Sequence, residues 1–196
     1  MIWLLLTIAL WGFIHSLLAS TKAKVLFRRL LGDGVMWFYR LLYNLFAVIS
    51  FLPILYLMVT LPDKILYQVP EPYDLFMRLG QGITILLLSV AVIQTDLLSF
   101  IGLRQLLEEE RTVPLMTGGL YRYARHPLYT FSLSFLWLSS SMSLNSFIVY
   151  LALTFYILIG IVFEERKLIR EFGEEYAKYR SATPMLIPRI HTVPKG

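Results

Sequence analysis

The chain has 196 residues, of which 57% are hydrophobic and 16% charged, with a mean hydropathy of +0.65 and no cysteine. That composition excludes an ordinary soluble globular domain, and the missing thiol excludes disulfides, thiolate metal sites and cysteine nucleophiles. The formal charge of +5 would suit a nucleic acid, but the basic residues flank apolar runs, so membrane topology explains them and no nucleic-acid partner is expected.

A helix needs roughly 20 apolar residues to cross about 30 Å of hydrocarbon. The first run, 2–20, has that length. Its positive charges follow the apolar stretch instead of preceding it, which reads as a retained helix and not a cleaved leader. Runs at 41–61 and 81–103 give a second and a third helix. Thr130 to Phe163 contains no charge and is too long for one ordinary span. Within it, Ser139-Ser140-Ser141-Met142-Ser143-Leu144-Asn145 reads as a turn, with Ser143 or Asn145 available to cap the next helix. Pro127 suits the first turn of the fourth helix, where a missing amide hydrogen costs nothing. The fifth helix should outlast the bilayer, continuing through Glu164-Glu165-Arg166-Lys167 to Phe172 and stopping at Gly173. Beyond it, Tyr176 and Tyr179 read as interfacial anchors ahead of Pro184 and Pro188.

The expected fold class is therefore all-α integral membrane. It has five transmembrane helices, a hairpin of the fourth and fifth, an amphipathic C-terminal extension, and one domain over 1–196. Sixteen of the eighteen lysines and arginines fall on one side of such a bundle; only Lys64 and Arg78 lie opposite. That bias puts the N-terminus outside and the C-terminus in the cytoplasm.

A hairpin that returns the chain to its starting side brings Arg125, His126 and Tyr129 near Glu164 and Glu165. Donors, acceptors and aromatic faces in one place suit a cationic or zwitterionic ligand. Taken alone, each cluster fits a structural role better, as helix-foot anchors and as a solvated charged face; their convergence across one hairpin shifts the balance toward a site. Asp96, near the end of the third run, is read as structural. With three histidines in all, no metal site is expected.

These residues also resemble a known family. Gly119-Leu120-Tyr121, Arg125-His126-Pro127-Leu128-Tyr129, Glu164-Glu165, Phe172-Gly173-Glu174-Glu175-Tyr176 with Tyr179, and the closing Pro184-Met185-Leu186-Ile187-Pro188 look like the C-terminal signature of the membrane-embedded methyltransferases. That group includes isoprenylcysteine carboxyl methyltransferase, the phospholipid N-methyltransferases and methanethiol S-methyltransferase. The resemblance covers roughly 112–188. It implies methyl transfer from S-adenosylmethionine at the cytoplasmic face, with N-terminal helices over 1–104 and a cofactor-binding core over 105–190.

Carried onto this chain, the resemblance puts the cofactor against Leu115, Met116, Tyr121, Arg125, His126, Pro127, Leu128, Tyr129, Glu164 and Glu165, one glutamate holding its amino-acid end. Val113-Pro114 departs from the isoprenylcysteine enzymes, which carry His-Arg there, so contacts from that position do not transfer. Trp11 to Ser20 looks like the opening helix of the thiol methyltransferases, which makes His15, with His126, a candidate catalytic residue; a histidine hydrogen-bonded between helices fits equally well. A small thiol ranks first as acceptor, a prenyl-linked carboxylate second and a phospholipid amine third. A reading of another class is a non-catalytic membrane protein that binds a metabolite or assists transport. The expected setting is the lipid bilayer of a prokaryotic cell membrane, crossed several times, with the oligomeric state open.

Overall fold

A computed structural model describes residues 1–95 and 114–189. Among these, seven α-helices, a 3-10 turn and two short strands follow in the order α1 (Ile2–Ala19), α2 (Thr21–Leu31), α3 (Gly34–Thr60), β1 (Ile65–Gln68), α4 (Tyr73–Gln94), the turn Gly119–Arg122, α5 (Pro127–Trp137), β2 (Ser141–Ser143), α6 (Leu144–Phe172) and α7 (Glu174–Ala182). Asp96 and Val113 lie outside the described residues.

Among the described residues four helices, α1, α3, α4 and α6, are long and apolar enough to cross a membrane. They leave side chains such as Trp3, Phe13, Leu86 and Phe155 exposed, as a lipid-facing surface requires. The segment expected to be the fourth span is different. Its helix, α5, has 11 residues and rises about 16 Å, half the hydrocarbon thickness. α3 and α4 also begin earlier than their apolar runs, at Gly34 and Tyr73, because helical hydrogen bonding continues through Arg40 and Arg78. A charge marks where an apolar run ends, not where a helix does. α6 continues to Phe172, about 43 Å in all, and Gly173, at φ 54°, turns the chain into α7.

Residue contacts gather the described chain into two compact units interleaved along the sequence. The first contains Met1–Tyr67 and Met142–Ala152. Here α1 packs on α3, with Trp11 Nε1 donating to Ala47 O at 3.3 Å and Tyr39 Oη donating to Leu18 O at 2.6 Å. Ser20 Oγ accepts from Ala23 N and caps α2. The end of α3 and the start of α6 satisfy one another: Asp63 Oδ1 accepts from Asn145 N at 3.0 Å, while Asn145 Nδ2 donates to Met58 O and Leu61 O. Ser143 caps α6, exchanging hydrogen bonds with Ser146 in the manner of a capping box.

The second unit contains Gln68–Thr95 with the described residues of 113–141 and 153–196. α4 lies against α5, where Gln81 Nε2 donates to Phe135 O at 3.0 Å. α5 runs antiparallel to α6: His126 meets Glu165, and 11 residues further along α5, Trp137 Nε1 donates to Thr154 Oγ1, 11 residues back along α6. The tail then crosses the foot of α5 as an extended strap. Pro184 O and Met185 O accept from the amides of Arg125 and His126, and Leu186 O accepts from Thr130 Oγ1. The same packing changes the role of two tyrosines read as interfacial anchors. Tyr176 is 1% exposed, and Tyr179 Oη donates to Tyr121 O at 2.6 Å, so both face protein.

Candidate functional site

The foot of α5 is built around a proline at its first position, which ends the preceding turn and starts the helix directly after His126. Because the helix begins there, the side chains of Arg125, His126 and Tyr129 project from one helix end toward the exit of α6. That exit presents two adjacent carboxylates with different surroundings.

Glu165 is enclosed by cations. Arg125 donates to its Oε1 from Nε at 2.8 Å and from Nη2 at 2.5 Å, and Arg180 Nε lies 3.4 Å from its Oε2. His126 Nε2 lies 3.3 Å from Oε1. The remaining Arg125 nitrogen, Nη1, donates to the carbonyls of Arg180 and Thr183. Arg125 and Glu165 side chains are 9% and 10% exposed, so the pair is a clamp that fastens the tail to the hairpin.

Glu164 is 42% exposed. Tyr129 Oη donates to its Oε2 at 2.9 Å, and His126 Nδ1 stands 3.9 Å from the same oxygen. The imidazole of His126 therefore sits between the two carboxylates and is itself buried, with the Tyr129 ring stacked 5.7 Å away. The hydroxyl of Tyr121 belongs to the same environment: burial, then the charge of Glu164, pushes it up to about 12. Burial and the Glu165 charge do the same for Tyr176, also to about 12. Both phenols are neutral at physiological pH.

The hairpin thus brings together Arg125, His126, Tyr129, Glu164 and Glu165, with Tyr121 alongside. Pro127 is buried and Leu128 half-buried in the first turn of α5. Leu115 and Met116 lie in the non-helical stretch leading to the turn, Leu115 half-buried and Met116 exposed. The turn is fixed from α4, where Gln94 Oε1 accepts from Leu120 N at 2.9 Å. Gly119 has φ 58°, and a Cβ there would collide with the Gln94 amide, so only glycine fits. His15 belongs to the first unit, stacked on Trp11 at 4.8 Å, with the Tyr43 hydroxyl 2.8 Å from its Nε2.

Sequence reasoning missed Arg180, Thr183 and Gln94. Arg180 was legible only as one more basic residue, although it follows Tyr176 by four and so shares its helix face. Thr183 acts through its backbone carbonyl, which carries no residue-type signal.

The chain is similar in sequence to several proteins of known name. Over 193 residues the chain is 31% identical to methanethiol S-methyltransferase 1 of Bradyrhizobium diazoefficiens, covering 94% of this chain and 65% of that protein. It is 37% identical over 123 residues to the methanethiol S-methyltransferase of Crocosphaera subtropica, covering 60% of this chain and 46% of that protein. It is 32% identical over 113 residues to the methanethiol S-methyltransferase of Pseudomonas deceptionensis, covering 55% and 43%. The chain therefore spans just under two thirds of the first of these relatives and less than half of the other two. No family model and no solved structure matches it. These similarities support the membrane methyltransferase group that the C-terminal motifs resemble.

Proposed function

We propose that this chain transfers a methyl group from S-adenosylmethionine to a small thiol at the cytoplasmic face of a bacterial membrane. Its relatives named methanethiol S-methyltransferase support that reaction class. The observation that carries it on this chain is the inequality of the glutamate pair: Glu165 is neutralised by two arginines, while Glu164 is a half-exposed carboxylate steadied by a tyrosine and a histidine.

That donor set fits a ligand bearing an ammonium and a sulfonium. Glu164 accepts the ammonium of the amino-acid end, and the rings of Tyr129 and Tyr121 offer aromatic faces to positive charge. S-adenosylmethionine supplies a methyl group already activated by its sulfonium, so the protein contributes position, charge and exclusion of water. Arg125 and Glu165 serve indirectly by holding the tail strap against the foot of α5. The thiol must lose its proton to become a competent nucleophile, and His126 Nδ1, beside the Glu164 carboxylate, is an imidazole acceptor for it.

The proposed topology keeps five crossings. α5 rises about 16 Å, and the turn and short strand over 138–143 carry the chain on from its end to the start of α6, so α5 and this segment together make the fourth crossing. With the fifth crossing included, the bias of lysine and arginine places the N-terminus outside and the glutamate pair at the cytoplasmic face.

Methyl-labelled S-adenosylmethionine supplied to membranes containing the protein, together with methanethiol, a prenylcysteine and phosphatidylethanolamine, tests the reading. Label should enter dimethyl sulfide alone. Label in either lipid-like acceptor would replace the thiol as substrate, and label in none would remove the catalytic reading.

A further inference from the structure

The first unit holds an apolar cleft beside a basic helix. Between α1, α2 and α3 runs a half-open cleft of about 240 Å³, walled by Leu18, Phe27, Leu31, Val35, Leu42 and Phe46. The two tyrosines beside it, Tyr39 and Tyr43, turn their hydroxyls to Leu18 O and to the His15 ring. The walls therefore ask for no polar ligand. A void of this kind forfeits the dispersion contacts of every side chain that lines it, so an apolar occupant is favoured over an empty cleft.

The helix that forms one wall also carries the charge. α2 reads Thr-Lys-Ala-Lys-Val-Leu-Phe-Arg-Arg-Leu-Leu, with four basic residues and no acidic one. It lies in sequence directly between two helices long and apolar enough to cross a membrane. Leu26, Leu30 and Leu31 are 54%, 71% and 58% exposed, so its apolar arc is not covered by protein. An apolar arc bordered by lysine and arginine is the pattern of a helix lying in the membrane interface. By helical spacing Lys24 and Arg28 lie one turn apart on the edge of α2 next to Phe27 and Leu31, two of the residues that wall the cleft. Arg28 pairs there with Asp33 at 3.2 Å, both side chains being more than half exposed. An exposed pair contributes little, roughly 0–1 kcal/mol, and a phosphodiester can displace it.

We propose that this cleft is a binding site for one anionic phospholipid, an acyl chain lying against Phe27, Leu31 and Val35 and the phosphodiester meeting Lys24 and Arg28. The apolar walls select a chain and the rim selects a negative head group; neither feature alone distinguishes this lipid from the bulk bilayer. The glutamate pair belongs to the second unit.

The test measures lipid retained by the purified full chain after reconstitution into nanodiscs of phosphatidylglycerol, of phosphatidylcholine, or of an equal mixture, followed by detergent extraction and native mass spectrometry. The wild-type protein should retain phosphatidylglycerol from the mixture and little phosphatidylcholine. Lys24→Gln with Arg28→Gln should lower that retention by roughly tenfold. Val35→Trp, which fills the cleft and leaves the charges in place, should lower it similarly. The charge variant leaves the apolar packing untouched, so it decides the matter even if the tryptophan variant fails to fold. Equal retention of the two lipids, or retention that survives the charge variant, would overturn the site in favour of a nonspecific lipid annulus. Displacement of the lipid by inorganic phosphate would overturn it in favour of a free-anion site.

Discussion

Adjacent glutamates on one helix look equivalent in sequence, yet Glu164 and Glu165 differ in every physical respect that governs ligand binding. A helix turns about 100° per residue, so neighbours point to different surroundings; Glu165 is directed at Arg125 and Arg180, Glu164 outward beside Tyr129. Removing one partner of a buried ion pair strands the other, at about 3 kcal/mol or more. Glu165→Gln should therefore lower the melting temperature of the detergent-purified protein by several degrees and expose the tail beyond Ala182 to proteolysis. A variant as stable and as protease-resistant as the wild type would show that the clamp does not hold the tail. The convergence of Arg125, His126 and Tyr129 on the acidic pair was legible, because residue type and hairpin spacing both pointed to it. The division of labour was not, since it depends on Arg180 and on the carbonyl of Thr183, which only the folded tail delivers.

At the scale of elements, α7 and the strap after it close the site from the C-terminal side, and their docking depends on uncharged phenols. Tyr176 and Tyr121 have their hydroxyls pushed up to about 12 by burial and by the neighbouring carboxylates, and burial raises Tyr179 as well. A raised folded-state value means that the stabilisation is complete below the unfolded value of 10 and is lost as pH rises through the folded one. The melting temperature, followed from pH 8 upward, should not fall on account of these groups until about pH 10 and should drop between 10 and 12. A decline complete before pH 10 would contradict the buried, neutral tyrosines. Asp63 titrates at the other extreme: partial burial works to raise it, but hydrogen bonds from Ser143 and from the amides of Asn145, Lys64 and Leu144 outweigh that and hold it below 3.8. Its contribution is present above that value and is lost as pH falls through the lower, folded one. The long apolar elements were legible from composition because hydrocarbon imposes their length. The starts of α3 and α4 were not, because intrahelical hydrogen bonds carry a helix past its first charge. The docked positions of Tyr176 and Tyr179 were also hidden, since an amphipathic ring suits an interface and a protein contact equally.

Across the whole molecule, nearly all of the chemistry-bearing residues lie in the second unit, while the first supplies apolar spans, the basic helix α2 and the His15–Tyr43 pair. The similarity to methanethiol S-methyltransferase 1 of Bradyrhizobium diazoefficiens extends over 94% of the chain, so it covers both. In the proposed function Glu164 is the carboxylate that receives a cationic cofactor, and Glu165 serves the fold. Equilibrium binding of S-adenosylmethionine to the detergent-purified protein tests that directly, with Glu164→Gln as the decisive variant and its melting temperature as the control. The variant should melt like the wild type and bind at least roughly tenfold more weakly, a loss of about 1.4 kcal/mol or more. Undiminished binding by a correctly folded Glu164→Gln protein would contradict it.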